Sequence, residues 1–155
     1  MALDIAPTWG RLNEQLVELI DHVPDDRLDW SQKPELWSFR RLFLHLAEAR
    51  EQWMTRRIND GEPNTIDRDV ENQRPGKEEL RDALRRTWRR VERTISDQAK
   101  LDATYRDLWW KEAPLYDGHW VAFHLLEHDI HHRAEMLMYL SQLGVTVRSE
   151  WTQTL

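Results

Sequence analysis

The sequence predicts an all-α protein built as a four-helix bundle. Four long segments repeat apolar residues at steps of three and four, which is the period of an amphipathic helix. Strands are not predicted, because neither sustained alternation of apolar and polar residues nor a hairpin dipeptide between apolar runs occurs. The length of 155 residues is typical of one domain, so a single domain over 1–155 is expected. Four such helices bury their apolar faces most simply as a bundle.

The first two predicted helices have well-marked ends. The first begins at Pro7 and ends at Val23, directly before Pro24. The second begins after Ser38, whose hydroxyl suits the N-cap position. It continues to Asn59, where an Asp-Gly-Glu-Pro sequence ends it.

The third predicted helix follows a polar stretch. From Gly61 to Arg74 the chain has few apolar residues, and an exposed, mobile loop is expected there. The helix opens at the Pro75-Gly76 pair and ends near Asp97, with its apolar residues on one face.

The fourth predicted helix is the longest. Residues 99–114 before it fit no single element, and their structure is left open. The helix starts at Gly118 or His119 and runs without a break through Leu140. It ends at Gly144, a residue suited to the left-handed conformation that follows many helices.

Charge and composition exclude several classes of function. The chain has 22 basic and 28 acidic residues and a net charge of -6, with the two signs interspersed. Nucleic-acid-binding faces concentrate basic charge, so no nucleic-acid partner is expected. There is no apolar run of the roughly 18 residues that a membrane span needs, and no signal-peptide pattern. We therefore expect a cytoplasmic protein without a membrane partner.

The histidines of the fourth helix are the main candidates for a functional site. Residues four apart on a helix lie one above the other, so two such imidazoles can converge on one metal ion. His128 and His132 have this spacing and share an otherwise apolar stripe with Leu125, so they are expected to face the core. His124 lies at the edge of the stripe and is the reserve candidate. His131 is expected at the surface or beside a ligand.

A third ligand is expected from the second helix. His45 lies there on a face with Leu42 and Ala49, as a polar residue among apolar ones. Taken alone, it is better interpreted as a structural histidine that is hydrogen-bonded within the core. Because a buried imidazole needs partners, a divalent metal shared by His45, His128 and His132 would satisfy all three rings. The chain has no cysteine, so only His, Asp or Glu can hold a metal.

Two sequence patterns resemble those of the DinB-like family. One is the Trp37-Ser38 pair that opens the second helix, followed two turns later by His45. The other is the His-x-x-His-His-Arg run from His128 to Arg133. Both occur in the family's order and at its separation, and the resemblance covers nearly the whole chain.

The resemblance implies both a fold and a site. It implies a four-helix bundle of up-down-down-up topology with a three-histidine divalent-metal site. The family's ligand positions fall on His45, His128 and His132. The chain departs from the common pattern at Ala134 and Glu135, where a Gly-Gln pair often follows the arginine, and this concerns the surroundings of the ligands.

Three imidazoles leave a coordination position open, as in catalytic metal sites. By resemblance, the leading hypothesis is a metal-dependent transferase that acts with a low-molecular-weight thiol on a small-molecule substrate. The alternatives are a metal-dependent hydrolase, with Glu48 or Glu135 as base, and a non-catalytic metal-binding stress-response or interaction protein. The sequence does not determine whether the metal is zinc, nickel, iron or manganese, nor whether the protein forms a homodimer.

Three tryptophans near the start of the fourth helix are candidate pocket walls: Trp109, Trp110 and Trp120.

Overall fold

The computed structural model describes residues 5–66, 74–107 and 109–147. Within these ranges the chain is mostly helical, as predicted. Among the described helices, none is long and apolar enough to cross a lipid bilayer. The helices are α1 (Ala6–His22), α2 (Phe39–Gln52), α3 (Lys77–Ile95), the short α4 (Gln98–Asp102) and α5 (Gly118–Gln142).

The four long helices pack around a common apolar core. Helices α1 and α2 each pack against both α3 and α5. Leu16, Phe43, Leu84 and Met136 are among the fully buried core residues, one from each helix. Burial of such faces stabilises helices that would be marginal alone in water. Three finer statements stay predictions: that the helices form a four-helix bundle, that they run in up-down-down-up order, and that the chain is a single domain.

A small antiparallel sheet corrects the all-α prediction. Strand β1 (Thr104–Arg106) pairs with β2 (Leu115–Asp117), and Tyr105 lies opposite Tyr116. Strands of three residues are too short to show the alternation that identifies a strand in a sequence. Residues 99–114, which the sequence left open, thus include most of α4 and all of β1.

The starts and ends of the histidine-bearing helices follow from local chemistry. The Ser38 hydroxyl accepts a hydrogen bond from the Arg41 backbone N–H at 3.3 Å, which confirms the predicted N-cap of α2. The Asp117 carboxylate accepts one from the Trp120 backbone N–H at 2.7 Å and caps α5. Gly144 adopts φ 73° after the end of α5, as predicted.

Helix α2 continues into a π-helical turn, Trp53–Ile58. The turn ends at Asn59, whose φ of 52° is left-handed, so the predicted end of the second helix is confirmed. Inside the turn, Arg57 forms an ion pair with Asp107 at 3.0 Å, and both side chains are nearly buried. Turns of this type are rare and often lie near functional sites.

Part of the predicted mobile loop from Gly61 to Arg74 is described. Its residues 67–73 lie outside the described residues. Within 61–66, Ile66 is buried, and Arg90 of α3 donates hydrogen bonds to two backbone carbonyls of this stretch. The described part is therefore bound to α3, contrary to the expectation of a freely exposed segment.

Candidate metal centre

Three histidine rings from two helices meet between α2 and α5. His45 comes from α2, and His128 and His132 come from α5. The ring centroids are 4.7 Å apart for His45 and His128, 5.0 Å for His45 and His132, and 4.6 Å for His128 and His132. One nitrogen of each ring lies within 4.8 Å of the others. The structure thus brings together the three residues that the sequence singled out, in a group that can hold one metal ion.

Hydrogen bonds orient the rings of this group. The Nε2 atoms of His45 and His128 are 2.8 Å apart, so one ring donates and the other accepts. Nδ1 of His132 lies 3.0 Å from Oε2 of Glu135, and the Tyr139 hydroxyl donates to Oε1 of Glu135 at 3.2 Å. A carboxylate behind an imidazole fixes its tautomer and is typical of metal-ligating histidines. With Nδ1 engaged, Nε2 of His132 is the nitrogen left for a cation.

The surroundings favour the neutral form of all three rings. Burial, with smaller contributions from His132 and Arg41, lowers the pKa of His45 to about 4. Burial, with the neighbouring histidines, lowers the pKa of His128 to about 3. Burial also lowers the pKa of His132, although Glu135 acts in the opposite direction. Because only a neutral imidazole can bind a metal, the rings are held in their ligating form.

His128 supplies a test of whether these residues fit a metal. Its buried Nδ1 atom has no hydrogen-bond partner among the described residues. Buried polar atoms are almost always paired, so this nitrogen is available to a water molecule or an ion. Three imidazoles are donors that zinc and similar divalent cations accept readily. The residues therefore fit a divalent cation.

Trp37 lies against the three-histidine group on one side. Its ring centroid is 4.5 Å from that of His45 and 6.2 Å from that of His132, and the residue is 42% exposed. The Arg41 guanidinium lies 5.1 Å above the Trp37 ring and forms an ion pair with Glu48 at 2.7 Å. Glu48, one of the candidate bases, is thus held by an arginine at this edge of the site.

An aromatic row of Tyr116, Trp120 and His124 adjoins the other side. Tyr116 stacks on Trp120 at 4.1 Å, and Trp120 stacks on His124 at 5.0 Å. Trp53 packs against His124 at 4.9 Å. The His124 ring is 6.4 Å from that of His128. His124, the reserve ligand, therefore stands in the row beside the three-histidine group rather than within it.

Comparison with known proteins identifies the family. The sequence profile of the DinB family matches residues 2–151. This chain belongs to the DinB family. No curated protein matches the chain.

Two solved DinB-like proteins share the fold of this DinB chain. The one from Bacillus cereus has a TM-score of 0.69 at 19% identity, covering 92% of each chain. The one from Bacillus subtilis has a TM-score of 0.63 at 14% identity, covering 86% of this chain and 87% of its own. At these identities the likeness concerns the fold alone.

The other predicted candidates of this DinB protein lie at the surface. Trp109 and Trp110 are 62% and 54% exposed, and the Arg56 guanidinium lies 4.5 Å above the Trp109 ring. Of the three wall candidates, Trp120 alone belongs to the aromatic row described above. His131 is exposed, as expected, and its ring is 5.0 Å from that of His132.

Two contributors to the site were not predicted. Trp37 was noted only as half of the pair that opens the second helix, yet its ring covers His45. Tyr139 was assigned no part in the site, yet its hydroxyl donates a hydrogen bond to Glu135. The four-residue spacing of Glu135 and Tyr139 is the sequence feature that could have indicated this second contact.

Proposed function

We propose that this DinB protein binds a divalent cation through His45, His128 and His132 within a four-helix bundle. We further propose that it is a metal-dependent transferase that uses a low-molecular-weight thiol to modify a small-molecule substrate. The observation that supports the metal is that one nitrogen of each of these three rings lies within 4.8 Å of the others, in surroundings that lower the pKa of all three. The thiol is proposed from the family resemblance, and it suits a chain that has no cysteine of its own.

The residues around the three-histidine group have separate roles in this proposal. A divalent cation held by His45, His128 and His132 would act as a Lewis acid and would lower the pKa of a thiol or water molecule that reaches it. Glu135, held by Tyr139, keeps the proton of His132 on Nδ1, so that Nε2 carries the lone pair. Trp37 packs against two of the rings and limits the access of water to them.

The contacts of the candidate bases favour the transferase over the hydrolase. A general base must be able to accept a proton from water in the site. Glu135 already accepts from His132 and Tyr139, and Glu48 is paired with Arg41. Each carboxylate would have to give up a partner to act as base for water, whereas a thiol whose pKa is lowered by a bound cation would lose its proton to solvent.

Elemental analysis of purified protein tests the metal site. We expect one divalent metal ion per chain to survive dialysis in the wild type, and this tightly held ion to be lost in His45→Ala and in His128→Ala. His119→Ala is the matched control, because His119 is 60% exposed and contacts Asp102 instead of the triad. Circular dichroism establishes that each variant is folded. Unchanged metal content in both triad variants would remove the proposed site.

Activity of the metal-loaded protein tests the reaction. We expect an electrophile to be consumed only when a low-molecular-weight thiol is present, and His45→Ala to abolish this turnover. Consumption of an ester or amide without thiol would replace the transferase by the hydrolase. Tight metal binding with neither activity would identify a non-catalytic metal-binding protein.

A further inference from the structure

A second group of possible metal ligands lies on the outer side of α5. It consists of His131, His132 and Glu135, and one donor atom of each lies within 4.8 Å of the others. The His131 and His132 rings are 5.0 Å apart, and Nδ1 of His132 is 3.0 Å from Oε2 of Glu135. His131 is exposed, and the Glu135 side chain is 27% exposed. Solvent therefore reaches His131 and Glu135 directly, whereas His132 is buried.

The spacing of these donors suits a cation. His131 and Glu135 are four residues apart on one helix, so their side chains lie one above the other. The 3.0 Å between His132 Nδ1 and Glu135 Oε2 is a hydrogen bond in the metal-free protein, and it also matches the separation of about 3.0–3.4 Å between two ligands that each lie about 2.1 Å from an ion. The Glu135 carboxylate also brings a negative charge, which the inner triad of His45, His128 and His132 lacks. We infer that His131, His132 and Glu135 form an outer site for a divalent cation of the zinc or nickel type.

The outer site shares one ring with the inner triad. His132 turns Nδ1 toward Glu135, which leaves Nε2 for the inner triad. A neutral imidazole has a single lone pair, so the two sites compete for this ring. An outer ion is therefore held more weakly while the inner site is filled. This competition, though not the outer site itself, rests on the proposed function.

If Glu135 has a purely structural role, a different result is expected for metal binding. In that case Glu135 only orients His132, and His131 is a solvated surface residue that touches no ion. Removal of the His131 ring then leaves metal binding unchanged, because the ring makes no contribution to the inner triad. His131 is accordingly the residue whose substitution separates the two accounts.

Calorimetric titration of the metal-free protein with Ni²⁺ tests the outer site. We expect the wild type to bind one ion tightly and a second more weakly. His131→Ala should keep the tight ion and weaken the second by about 10-fold or more, the order of effect seen when a supporting group of a metal site is lost. The variant His45→Ala/His128→Ala should keep an outer ion and hold it more tightly than the wild type holds its second. His119→Ala is the control and should match the wild type.

The outcomes separate the two proposals. Identical stoichiometry and affinities in His131→Ala and the wild type would overturn the outer site, whatever the inner triad does. An ion that survives in His45→Ala/His128→Ala and is lost when His131→Ala is added supports the outer site. If the same double variant instead binds both ions as the wild type does, the inner triad fails as a site. Because His131 is exposed, its substitution leaves the fold intact, and circular dichroism verifies this.

Discussion

His45 and His128 are partly buried and His132 is buried, and the surroundings of all three rings oppose protonation. Burial is the largest cause of the lowered pKa at each of the three. The positive charge of a neighbouring protonated ring would add to this penalty. The same packing that presents three lone pairs to a cation therefore makes the metal-free site sensitive to acid.

The free energy of unfolding of the metal-free protein should fall as the pH is lowered from 6.5 toward 4. In the unfolded chain these histidines return to a pKa of 6.5, whereas in the fold the pKa of His45 is about 4 and that of His128 about 3. Between these values the unfolded chain binds more protons, so stability rises with pH. Urea denaturation across this range measures the slope.

The control for this prediction is a variant without the two titrating rings. His45→Asn/His128→Asn should show a shallower dependence on pH than the wild type, while His119→Ala should keep the full slope. Equal slopes in all three proteins would mean that these rings are not protected from protonation. Since no metal is added, this result is independent of the proposed function.

At the level of elements, local chemistry determined what could be predicted. Ser38 caps α2 and Gly144 follows α5, because one hydroxyl and one left-handed glycine suffice for those roles. The pairing of β1 with β2 joins short segments that are separated in the chain, so no local period shows it. The π-helical conformation of Trp53–Ile58 was likewise not predicted, because the sequence indicated where the second helix ends but not the conformation of its last residues.

The site was predictable where it depends on helix periodicity. The four-residue spacing of His128 and His132, and the apolar face of His45, were sufficient to group them. The packing of Trp37 on His45 could not be predicted, because it depends on side-chain conformation across a helix start. The hydrogen bond between His132 and Glu135 spans three residues on the same helix, yet the sequence indicated only that Glu135 departs from the family pattern beside the ligands and is a candidate base.

The start of α5 depends on a glycine. A Cβ atom at Gly118 would lie 2.2 Å from the Lys100 carbonyl oxygen and 2.7 Å from the Leu101 Cα, which are both backbone atoms of α4. Gly118→Ala should therefore lower the free energy of unfolding by about 1–3 kcal/mol or more, since backbone must move to admit the methyl group. Thermal unfolding followed by circular dichroism measures the loss.

Gly10 provides the matched control for this substitution. It lies inside α1, and a Cβ atom there would meet only the Trp88 side chain, at an ordinary 3.6 Å. Gly10→Ala should be neutral or should stabilise the protein by up to about 1 kcal/mol, because alanine is the better helix former. Equal effects of the two substitutions would contradict the close approach of α4 and α5.

Across the whole molecule, one buried arginine joins all four long helices. Arg50 of α2 donates to the Asn13 side chain of α1 at 2.9 Å, the Leu84 carbonyl of α3 at 3.2 Å and the Asp129 carboxylate of α5 at 2.7 Å. The indole N–H of Trp9 donates to the same carboxylate at 2.7 Å. Both side chains of the Arg50–Asp129 ion pair are 0% exposed. Because Asp129 directly follows His128, this network also fixes the rotation of α5 about its own axis. That rotation determines the direction in which His128 and His132 point.

Replacing one member of this ion pair should cost far more than replacing both. Asp129→Asn keeps the shape of the side chain but leaves the Arg50 charge buried without a counterion, so we expect a loss of about 3–5 kcal/mol in the free energy of unfolding. Arg50→Met/Asp129→Leu removes both charges and should be the more stable variant, because neither desolvated charge remains. Urea denaturation compares the two. If the double variant is the less stable one, the hydrogen bonds of Arg50 to Asn13 and Leu84 outweigh the cost of burying its charge.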